Sequence, residues 1–370
     1  MSVLEKWQNP DVAAITPYEP GRPIEEVARE LGIDPASISK LASNENPLGT
    51  SPKALDALRK KLPETFRYPD GGAYYLREKL AAHFGVVRQQ VVLGAGSNEI
   101  LEFIGHCFMS SGRSVVVSAH AFVIYKLIAR MFDTRVIEVP ATAGLGHDLN
   151  AMAEAIEDDT CAIFVCNPNN PTGTLVEQDA VDAFLKKVPD DVLVVFDEAY
   201  AEIALGSMPD TLSIVKSRGN CLMLRTFSKA YGLAGLRIGF GMGPQPLIET
   251  LQKARQPFNV NRLAQEAALA ALDDDEFIER SRELFAESKK YLETSCERLG
   301  LDYVPTVANF LLIKVGDAPP VTQHLLGKGI IVRPMAGYGL PEYIRVSFGV
   351  MEENRRFIGA LKEIMAPDEE

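Results

Sequence analysis

Short apolar runs alternate with amphipathic segments through the first two thirds of the chain. The apolar runs predict strands at residues 90–93, 114–118, 161–166, 192–197, 220–226 and 237–241, and the amphipathic segments predict helices at residues 99–108, 177–187 and 245–255. Several of the apolar runs have no polar interruption, as is typical of strands that are covered by helices on both faces. The pattern therefore predicts an α/β fold with a largely parallel sheet.

The pattern changes after Arg262, where long helical periodicity predicts helices at residues 263–272 and 276–299. Strands at residues 308–315, 330–332 and 343–348 and a helix at residues 352–365 then indicate a smaller α+β unit. A short helix at residues 23–31 follows a proline-rich arm. We expect an arm and part of the small domain at residues 1–44, a large domain at 45–275, and a connecting helix and small domain at 276–370.

Composition narrows the possible functions of this 370-residue chain. The net charge of −12 and the scattered basic residues argue against a nucleic-acid-binding surface. The chain has neither an HExxH motif nor an apolar run of about 18 residues, so we expect no metal site, no secretion and no membrane insertion. The five cysteines form no CxxC pair, which favours a reduced, cytoplasmic setting.

The most informative segment is TFSKAYGLAGLR at residues 226–237. Lys229 follows an apolar strand and so lies where open α/β sheets place their ligands. A lysine amine can form an imine with an aldehyde cofactor. The hydroxyls of Thr226 and Ser228 and the guanidinium of Arg237 could then bind a phosphate group. A solvated surface lysine is the alternative that this segment alone leaves open.

A second segment, VLVVFDEAY at residues 192–200, ends an apolar run in carboxylates and a tyrosine. Burying the carboxylate of Asp197 is costly unless a cation or a hydrogen-bond donor meets it. A protonated pyridine nitrogen is such a partner, and Tyr200 could donate to a phenolic oxygen on the same ring. The alternative is an aspartate that caps the next helix.

Two turn segments also lie at predicted strand ends. In CNPNNPTG, residues 166–173, the amide of Asn170 could reach a ring oxygen, although most such strings are plain loops. In VVLGAGSNE, residues 91–99, a glycine turn opens a helix and presents N–H groups to an anion. Glu99 replaces the third glycine of a dinucleotide fingerprint, so a single phosphate fits better; a plain turn is the alternative. For the glycines of GFGMG, residues 239–243, close backbone packing is the better explanation.

Two arginines stand in apolar surroundings near the C-terminus, Arg333 and Arg345. A buried arginine needs an anion or a carboxylate as a partner, so Arg345 in particular indicates a site for an anionic substrate. An edge-strand arginine that points outward is the alternative.

The strings that begin at Asn167, Asp197 and Thr226 together resemble the fold type I pyridoxal-phosphate (PLP) aminotransferases of class I/II. LASNENPLG at residues 41–49, RYPD at 67–70, ANF at 308–310 and the stretch at 329–334 closely resemble histidinol-phosphate aminotransferases. The resemblance runs from about Pro17 to the last helix. It implies a large domain whose mostly parallel central sheet is sandwiched by helices, plus a smaller α+β domain.

The resemblance also implies roles for individual residues. Lys229 would be the Schiff-base lysine and the proton shuttle, Asp197 would pair with the pyridine nitrogen, Asn170 and Tyr200 would bond the ring oxygen, and Phe122 would stack on the ring. The residues expected around the cofactor phosphate are Gly96, Ser97, Asn98, Thr226, Ser228 and Arg237, with Tyr68 from the other subunit of a homodimer. Those expected to face the substrate are Tyr18, Asn44, Asn309, Arg333 and Arg345.

The reaction implied by the resemblance is transamination of histidinol phosphate with 2-oxoglutarate in histidine biosynthesis, with ping-pong kinetics and Lys229 as the group that moves the proton. Two departures bear on the substrate: Ser97 and Asn98 stand where many relatives carry an acidic residue, and Phe122 replaces the more common tyrosine. An aromatic amino acid aminotransferase, a PLP-dependent phospho-amino-acid decarboxylase and a non-catalytic ligand-binding module are the alternatives.

Overall fold

The computed structural model of the chain describes residues 2–8, 10–17 and 21–365. The strands in chain order are β1 Ser39–Lys40, β2 Val91–Gly94, β3 Ser114–Ser118, β4 Arg135–Val139, β5 Thr160–Cys166, β6 Leu193–Asp197, β7 Cys221–Thr226, β8 Gly239–Met242, β9 Tyr303–Val304, β10 Phe310–Lys314, β11 Ile330–Ile331, β12 Arg333–Pro334 and β13 Tyr343–Ser347.

Helices separate most of these strands. The α-helices are α1 Val3–Trp7, α2 Pro10–Ala13, α3 Ile24–Leu31, α4 Pro52–Lys61, α5 Tyr74–Phe84, α6 Ser97–Phe108, α7 Ile124–Met131, α8 Leu149–Glu154, α9 Gln178–Leu185, α10 Thr211–Ser217, α11 Gln245–Ala254, α12 Arg262–Ala271, α13 Asp275–Leu299, α14 Ala318–Gly327 and α15 Met351–Met365. Short 3-10 turns lie at Pro35–Ser37, Leu62–Glu64, Arg88–Gln90, Ala201–Ile203, Ala234–Leu236 and Ala336–Tyr338. No helix in the described part of the chain is long and apolar enough to cross a membrane.

The central sheet has the strand order β2-β8-β7-β6-β5-β3-β4. Only β8 runs antiparallel to its neighbours, so the prediction of a largely parallel sheet is confirmed. Asp197 at the end of β6 lies beside Cys166 on β5 and Leu224 on β7. The carboxyl ends of these strands therefore share one edge, and the loops that carry the sequence motifs leave the sheet side by side.

Both faces of the sheet are buried, which is why the strands read as continuous apolar runs. Successive side chains of a strand point to opposite faces. On β6, Val194 and Phe196 belong to one hydrophobic core, whereas Leu193 and Val195 belong to the other. The two helical layers thus hold the sheet between them.

A second, antiparallel sheet forms from the C-terminal strands in the order β12-β13-β10-β9. The short strand β1 pairs in parallel with β11, so the segment that precedes the large sheet contacts the C-terminal part of the chain. The long helix α13 runs between the two sheets in sequence. The domain boundaries at residues 44 and 275 stay predictions.

Several details differ from the predicted elements. The predicted strand at 237–241 begins only at Gly239, because Arg237 adopts a left-handed backbone with φ of 56°. The predicted strand at 330–332 is two strands, since β11 pairs with β1 and β12 with β13. The edge strand β4 was not predicted. Its exposed Arg135 and Glu138 interrupt the apolar pattern, as an edge position permits.

Close backbone packing explains the glycine at the start of β8. A Cβ atom on Gly239 would lie 2.5 Å from the backbone nitrogen of Ser97, the first residue of α6. The interpretation of this glycine as a packing feature is confirmed, and the contact brings β8 directly against the turn that opens α6.

Candidate active site

A cavity of about 380 Å³ opens at the carboxyl edge of β5, β6 and β7. It brings together residues from both sheets and from the segment before α4. The predicted site residues that line it are Asn44, Ser97, Asn98, Phe122, Asn170, Asp197, Tyr200, Thr226, Ser228, Lys229, Arg237, Arg333 and Arg345. Predicted site residues up to 301 positions apart in the chain therefore share one pocket.

Lys229 lies three residues after β7, and its side chain is part-buried in the pocket wall. Its Nζ donates to the backbone carbonyl of Ser43 at 3.0 Å. Burial and the nearby guanidinium of Arg345 lower the pKa of Lys229 to about 8. Near neutral pH, a larger fraction of Lys229 is therefore in the neutral, reactive amine form than would be the case for a solvated lysine. The surface-lysine alternative is wrong.

Asp197 closes β6 and is only 3% exposed. Its Oδ2 atom accepts a hydrogen bond from the hydroxyl of Tyr125 at 2.7 Å, whereas its Oδ1 atom is buried with no hydrogen-bond partner. Burial raises the pKa of Asp197 to about 6. An unpartnered buried carboxylate oxygen in a pocket wall is costly, and a protonated donor in the cavity would satisfy it.

A cradle for an anion forms where α6 begins. The backbone of Gly96 has φ of 82°, and a Cβ there would lie 2.5 Å from Nη2 of Arg237. The hydroxyls of Thr226 and Ser228 are hydrogen bonded to each other at 3.0 Å in the same wall. A helix N-terminus, two hydroxyls and a guanidinium on one side of a pocket suit a single phosphate group.

Glu99, which stands in place of a third glycine, has a structural role. Its Oε2 atom accepts from the backbone N–H of Ala95 at 2.6 Å and from Nδ2 of Asn259 at 2.6 Å. The carboxylate thus stabilises the turn before α6 and is not itself among the cavity-lining residues. The reading of this segment as a turn for one phosphate rather than a dinucleotide fits this arrangement.

A second group of lining residues is cationic. Arg345 on β13 is 6% exposed, so the alternative of an outward-pointing arginine is wrong. It donates to Oδ1 of Asn170 and to the carbonyl of Ala42 at 2.8 Å, while its Nε atom is buried without a partner. Both of these hydrogen bonds to described residues go to neutral acceptors. A buried guanidinium held only by neutral groups favours an anionic ligand.

Arg333 stands directly beside Arg345, because the two residues are cross-strand partners on β12 and β13. Both line the cavity. On the same side, the hydroxyl of Tyr200 accepts from Nδ2 of Asn44 at 2.9 Å, and the ring of Tyr200 packs against Phe310. Two groups of lining residues are therefore chemically suited to anions, and Lys229 lines the same pocket.

Three of the predicted residues that the structure describes are not in the pocket wall. Gly96 belongs to the turn that forms the anion cradle, and Nδ2 of Asn309 donates to the carbonyl of Asn44 at 3.2 Å. Tyr68 is 78% exposed and stacks on Phe258 at 4.8 Å between ring centroids. Tyr18 lies outside the described residues.

Other lining residues were missed by the motif analysis. Gly21 and Ser43 come from the N-terminal segment, Cys166 from the end of β5, and Tyr338 from a 3-10 turn. Two of them carried a signal: Cys166 ends a predicted strand beside Asp197, and Ser43 lies in the segment 41–49 that resembles the family. No cluster of three or more potential metal ligands occurs in the ranges that the structure describes.

The pocket fits PLP on its own features. PLP carries a phosphate, a pyridine nitrogen that binds a proton and an aldehyde, and the cavity offers an anion cradle, an unpartnered carboxylate oxygen on Asp197 and the amine of Lys229. Each functional group of the cofactor thus has a chemical counterpart in the wall.

Comparison with known sequences identifies the family. The sequence profile described as aminotransferase class I and II matches residues 36–361 of the chain. The chain belongs to this family. The aminotransferase is 49% identical over 370 residues to histidinol-phosphate aminotransferase 2 of Pseudomonas aeruginosa, with complete coverage of both chains. It is 47% identical over 362 residues to the histidinol-phosphate aminotransferase of Akkermansia muciniphila, covering 98% of this chain and 99% of that one.

A solved structure extends this likeness to three dimensions. The histidinol-phosphate aminotransferase of Sinorhizobium meliloti, crystallised in complex with pyridoxal-5′-phosphate, superposes on the aminotransferase with a TM-score of 0.88. The match covers 98% of both chains at 27% sequence identity. The fold expected from the sequence, a large α/β domain and a smaller α+β unit of the fold type I kind, is confirmed.

Proposed function

We propose that this aminotransferase uses PLP to transfer the amino group of L-histidinol phosphate to 2-oxoglutarate, which gives imidazole-acetol phosphate and glutamate in histidine biosynthesis. The observation that carries the proposal is the buried Arg345 beside Arg333, in one pocket with Lys229 and an anion cradle. The names of the relatives at 47% and 49% identity support the choice of substrate.

The cofactor would be held by its two polar ends. Ser97, Asn98, Thr226, Ser228 and Arg237 would bind the phosphate, and Asp197 would hold the proton on the pyridine nitrogen. When bound, PLP supplies an electrophilic carbonyl and a pyridine ring that withdraws electrons from the carbon bearing the amino group.

The ring would be flanked and anchored by further side chains of the same wall. Phe122 lines the cavity and would lie against one face of the ring, and Asn170 and Tyr200 would bond its phenolic oxygen. Burial raises the pKa of the Tyr200 hydroxyl, so this group stays protonated and able to donate.

Lys229 would carry the proton during the reaction. Its Nζ atom has a lowered pKa, so the neutral amine can take a proton from the substrate carbon and return it as the ammonium ion. The only hydrogen bond that Nζ makes with a described residue is to the carbonyl of Ser43, and a single bond of this kind leaves the amine able to move.

The arginines would hold the substrate anion. Arg345 is fixed by Asn170 and the carbonyl of Ala42, so its guanidinium is oriented before the substrate arrives. Together with Arg333 it can meet a phosphate monoester or, in the second half of the cycle, a carboxylate of 2-oxoglutarate. One cationic subsite would therefore serve both substrates in turn.

The substrate proposal is tested by half-reactions on the PLP-loaded enzyme. We expect histidinol phosphate to convert the near-visible absorption of the bound cofactor at a concentration roughly tenfold or more below that needed with histidinol, which lacks the phosphate. Phenylalanine, also tested, should require a higher concentration than histidinol phosphate. A preference for phenylalanine would instead identify an aromatic amino acid aminotransferase, and equal responses to histidinol and its phosphate would rule out phosphate recognition.

We further propose that two copies of the chain form a homodimer in which Tyr68 completes the partner's phosphate site. Four exposed aromatic side chains support this proposal: Phe66 and Tyr68 line one groove, Tyr75 lines a second groove that shares Arg262 with the first, and Phe258 stacks on Tyr68. These four side chains are exposed by 45% to 78%. Large exposed aromatic side chains that cluster in this way are typical of protein interfaces.

We also propose that the enzyme works in the reducing cytoplasm. The burial of Cys166, Cys221 and Cys296 as free thiols supports this proposal.

Replacing Phe66 with glutamate should break the dimer, because a charge in the centre of an apolar interface is left desolvated. Light scattering during size exclusion should give the mass of a dimer for the natural chain and of a monomer for Phe66→Glu. Met131→Glu, at an exposed apolar position on α7, is the matched control and should remain dimeric. A natural chain that elutes as a monomer contradicts the proposal.

A further inference from the structure

Tyr125 was not among the residues that the motifs identified, and it lies behind the pocket wall on α7. Its side chain is 1% exposed. The hydroxyl donates to Oδ2 of Asp197 at 2.7 Å. Of the two Asp197 oxygens, the one bonded to Tyr125 is therefore satisfied inside the protein, and only Oδ1 is left without a partner.

The ring of Tyr125 is held rigidly. It stacks on Phe164 of β5 with centroids 4.8 Å apart and planes inclined by 10°. Its edge meets Phe122, which lines the cavity, at 5.8 Å and 86°. Packing on two sides restricts the ring, so the hydroxyl reaches Asp197 from a fixed position.

The chemical effect of the hydroxyl follows from the environment of Asp197. Burial raises the pKa of this carboxyl group, and the hydrogen bond from Tyr125 acts in the opposite direction. The Tyr125 hydroxyl itself has a pKa well above its usual value, because burial and the neighbouring carboxylate disfavour the phenolate. It therefore remains a donor and helps Asp197 to stay ionised in an apolar setting.

We propose that Tyr125 is a positioning residue, which holds Asp197 as a carboxylate with one oxygen aimed at the ring nitrogen of the cofactor. Without this donor, Oδ2 would be buried without a hydrogen-bond partner. The carboxyl group would then either rotate or become protonated instead of remaining a carboxylate that pairs with the protonated ring nitrogen. In either case the ring nitrogen would lose its charged partner. The inference rests on the proposed cofactor.

The test compares two ligands that differ at the ring nitrogen alone. Equilibrium binding of PLP and of 1-deazapyridoxal 5′-phosphate, which has C–H in place of the nitrogen, is measured with the full-length chain freed of cofactor. The informative quantity is the ratio of the two dissociation constants. We expect the natural protein to favour PLP strongly, and Tyr125→Phe, which keeps the ring and removes the hydroxyl, to reduce that preference roughly tenfold or more.

A control separates positioning from packing. Phe164→Leu removes the ring that stacks on Tyr125 but keeps the hydroxyl, so it should weaken both ligands by similar factors and leave the ratio nearly unchanged. If Tyr125→Phe also leaves the ratio unchanged, Tyr125 does not act through the ring nitrogen and the inference is overturned. A ratio near one in the natural protein overturns the proposed pairing of Asp197 with the cofactor instead.

Discussion

Lys229→Ala should lose roughly a thousandfold or more of the aminotransferase turnover while the chain still folds. The amine of Lys229 is the basic nitrogen in the pocket wall with a pKa lowered to about 8, and alanine can neither bond a carbonyl nor carry a proton. The side chain contributes little to the fold, since its one hydrogen bond is to the carbonyl of Ser43. Steady-state transamination and circular dichroism measure the two effects.

Two further variants make this result specific. Lys229→Arg keeps the positive charge but remains protonated, so it should be as inactive as the alanine variant. Lys314→Ala, which removes a lysine paired with Glu342 on the small sheet, should keep nearly full activity. Retained turnover in Lys229→Ala, with the far-ultraviolet spectrum unchanged, would refute the assignment of this lysine.

The central sheet could be predicted because its strands are buried on both faces and so appear as uninterrupted apolar runs. The same reasoning overlooked β4, whose edge position lets Arg135 and Glu138 reach solvent. It also placed the start of β8 two residues too early, because Arg237 adopts a left-handed backbone, which a residue other than glycine rarely does and which an apolar pattern does not indicate. The apolar pattern of a sequence predicts strands through their buried side chains, so it is least informative for an edge strand, some of whose side chains are exposed.

Site residues that end strands could be predicted for a similar reason. Asp197, Asn170 and Lys229 each follow an apolar strand, and parallel strands deliver such residues to a common edge. Tyr125 and Tyr338 had no comparable signal. Tyr125 sits on an amphipathic helix as one of several apolar-facing positions, and its contact with Asp197 spans 72 positions of the chain. Contacts of that kind follow from packing between elements.

Behind β6 and β7 lies a buried ion cluster that the sequence did not identify. Arg225 donates to Oε2 of Glu198 through Nε at 3.0 Å and Nη2 at 2.7 Å, and its Nη1 lies 3.4 Å from Oε1 of Glu202. The side chains are 17%, 1% and 10% exposed. Glu198 follows Asp197, and Arg225 precedes Thr226, so the cluster joins the two strands that carry both ends of the cofactor site.

Arg225→Leu should destabilise the protein by about 3–5 kcal/mol, because two carboxylates would be left buried without their cation. Burial already raises the pKa of Glu198 and Glu202, and Arg225 opposes that rise. Without the guanidinium both pKa values should rise further above their unfolded values. A carboxyl group whose pKa is higher in the folded than in the unfolded state stabilises the folded state most at low pH. Its contribution to the free energy of unfolding is lost as the pH rises through the folded pKa.

The loss in free energy of unfolding that Arg225→Leu causes, relative to the natural chain, should consequently be smaller near pH 5 than near pH 8. Urea unfolding at both pH values measures this loss. Arg135→Leu is the matched control, since Arg135 also contacts two carboxylates, Glu157 and Asp159, but on the exposed edge of the sheet. Water solvates those carboxylates when the arginine is removed, so the control should lose far less stability. A deficit in Arg225→Leu that grows toward low pH would mean that the carboxylates find other partners, and that the cluster does not hold β6 and β7 together through its charges.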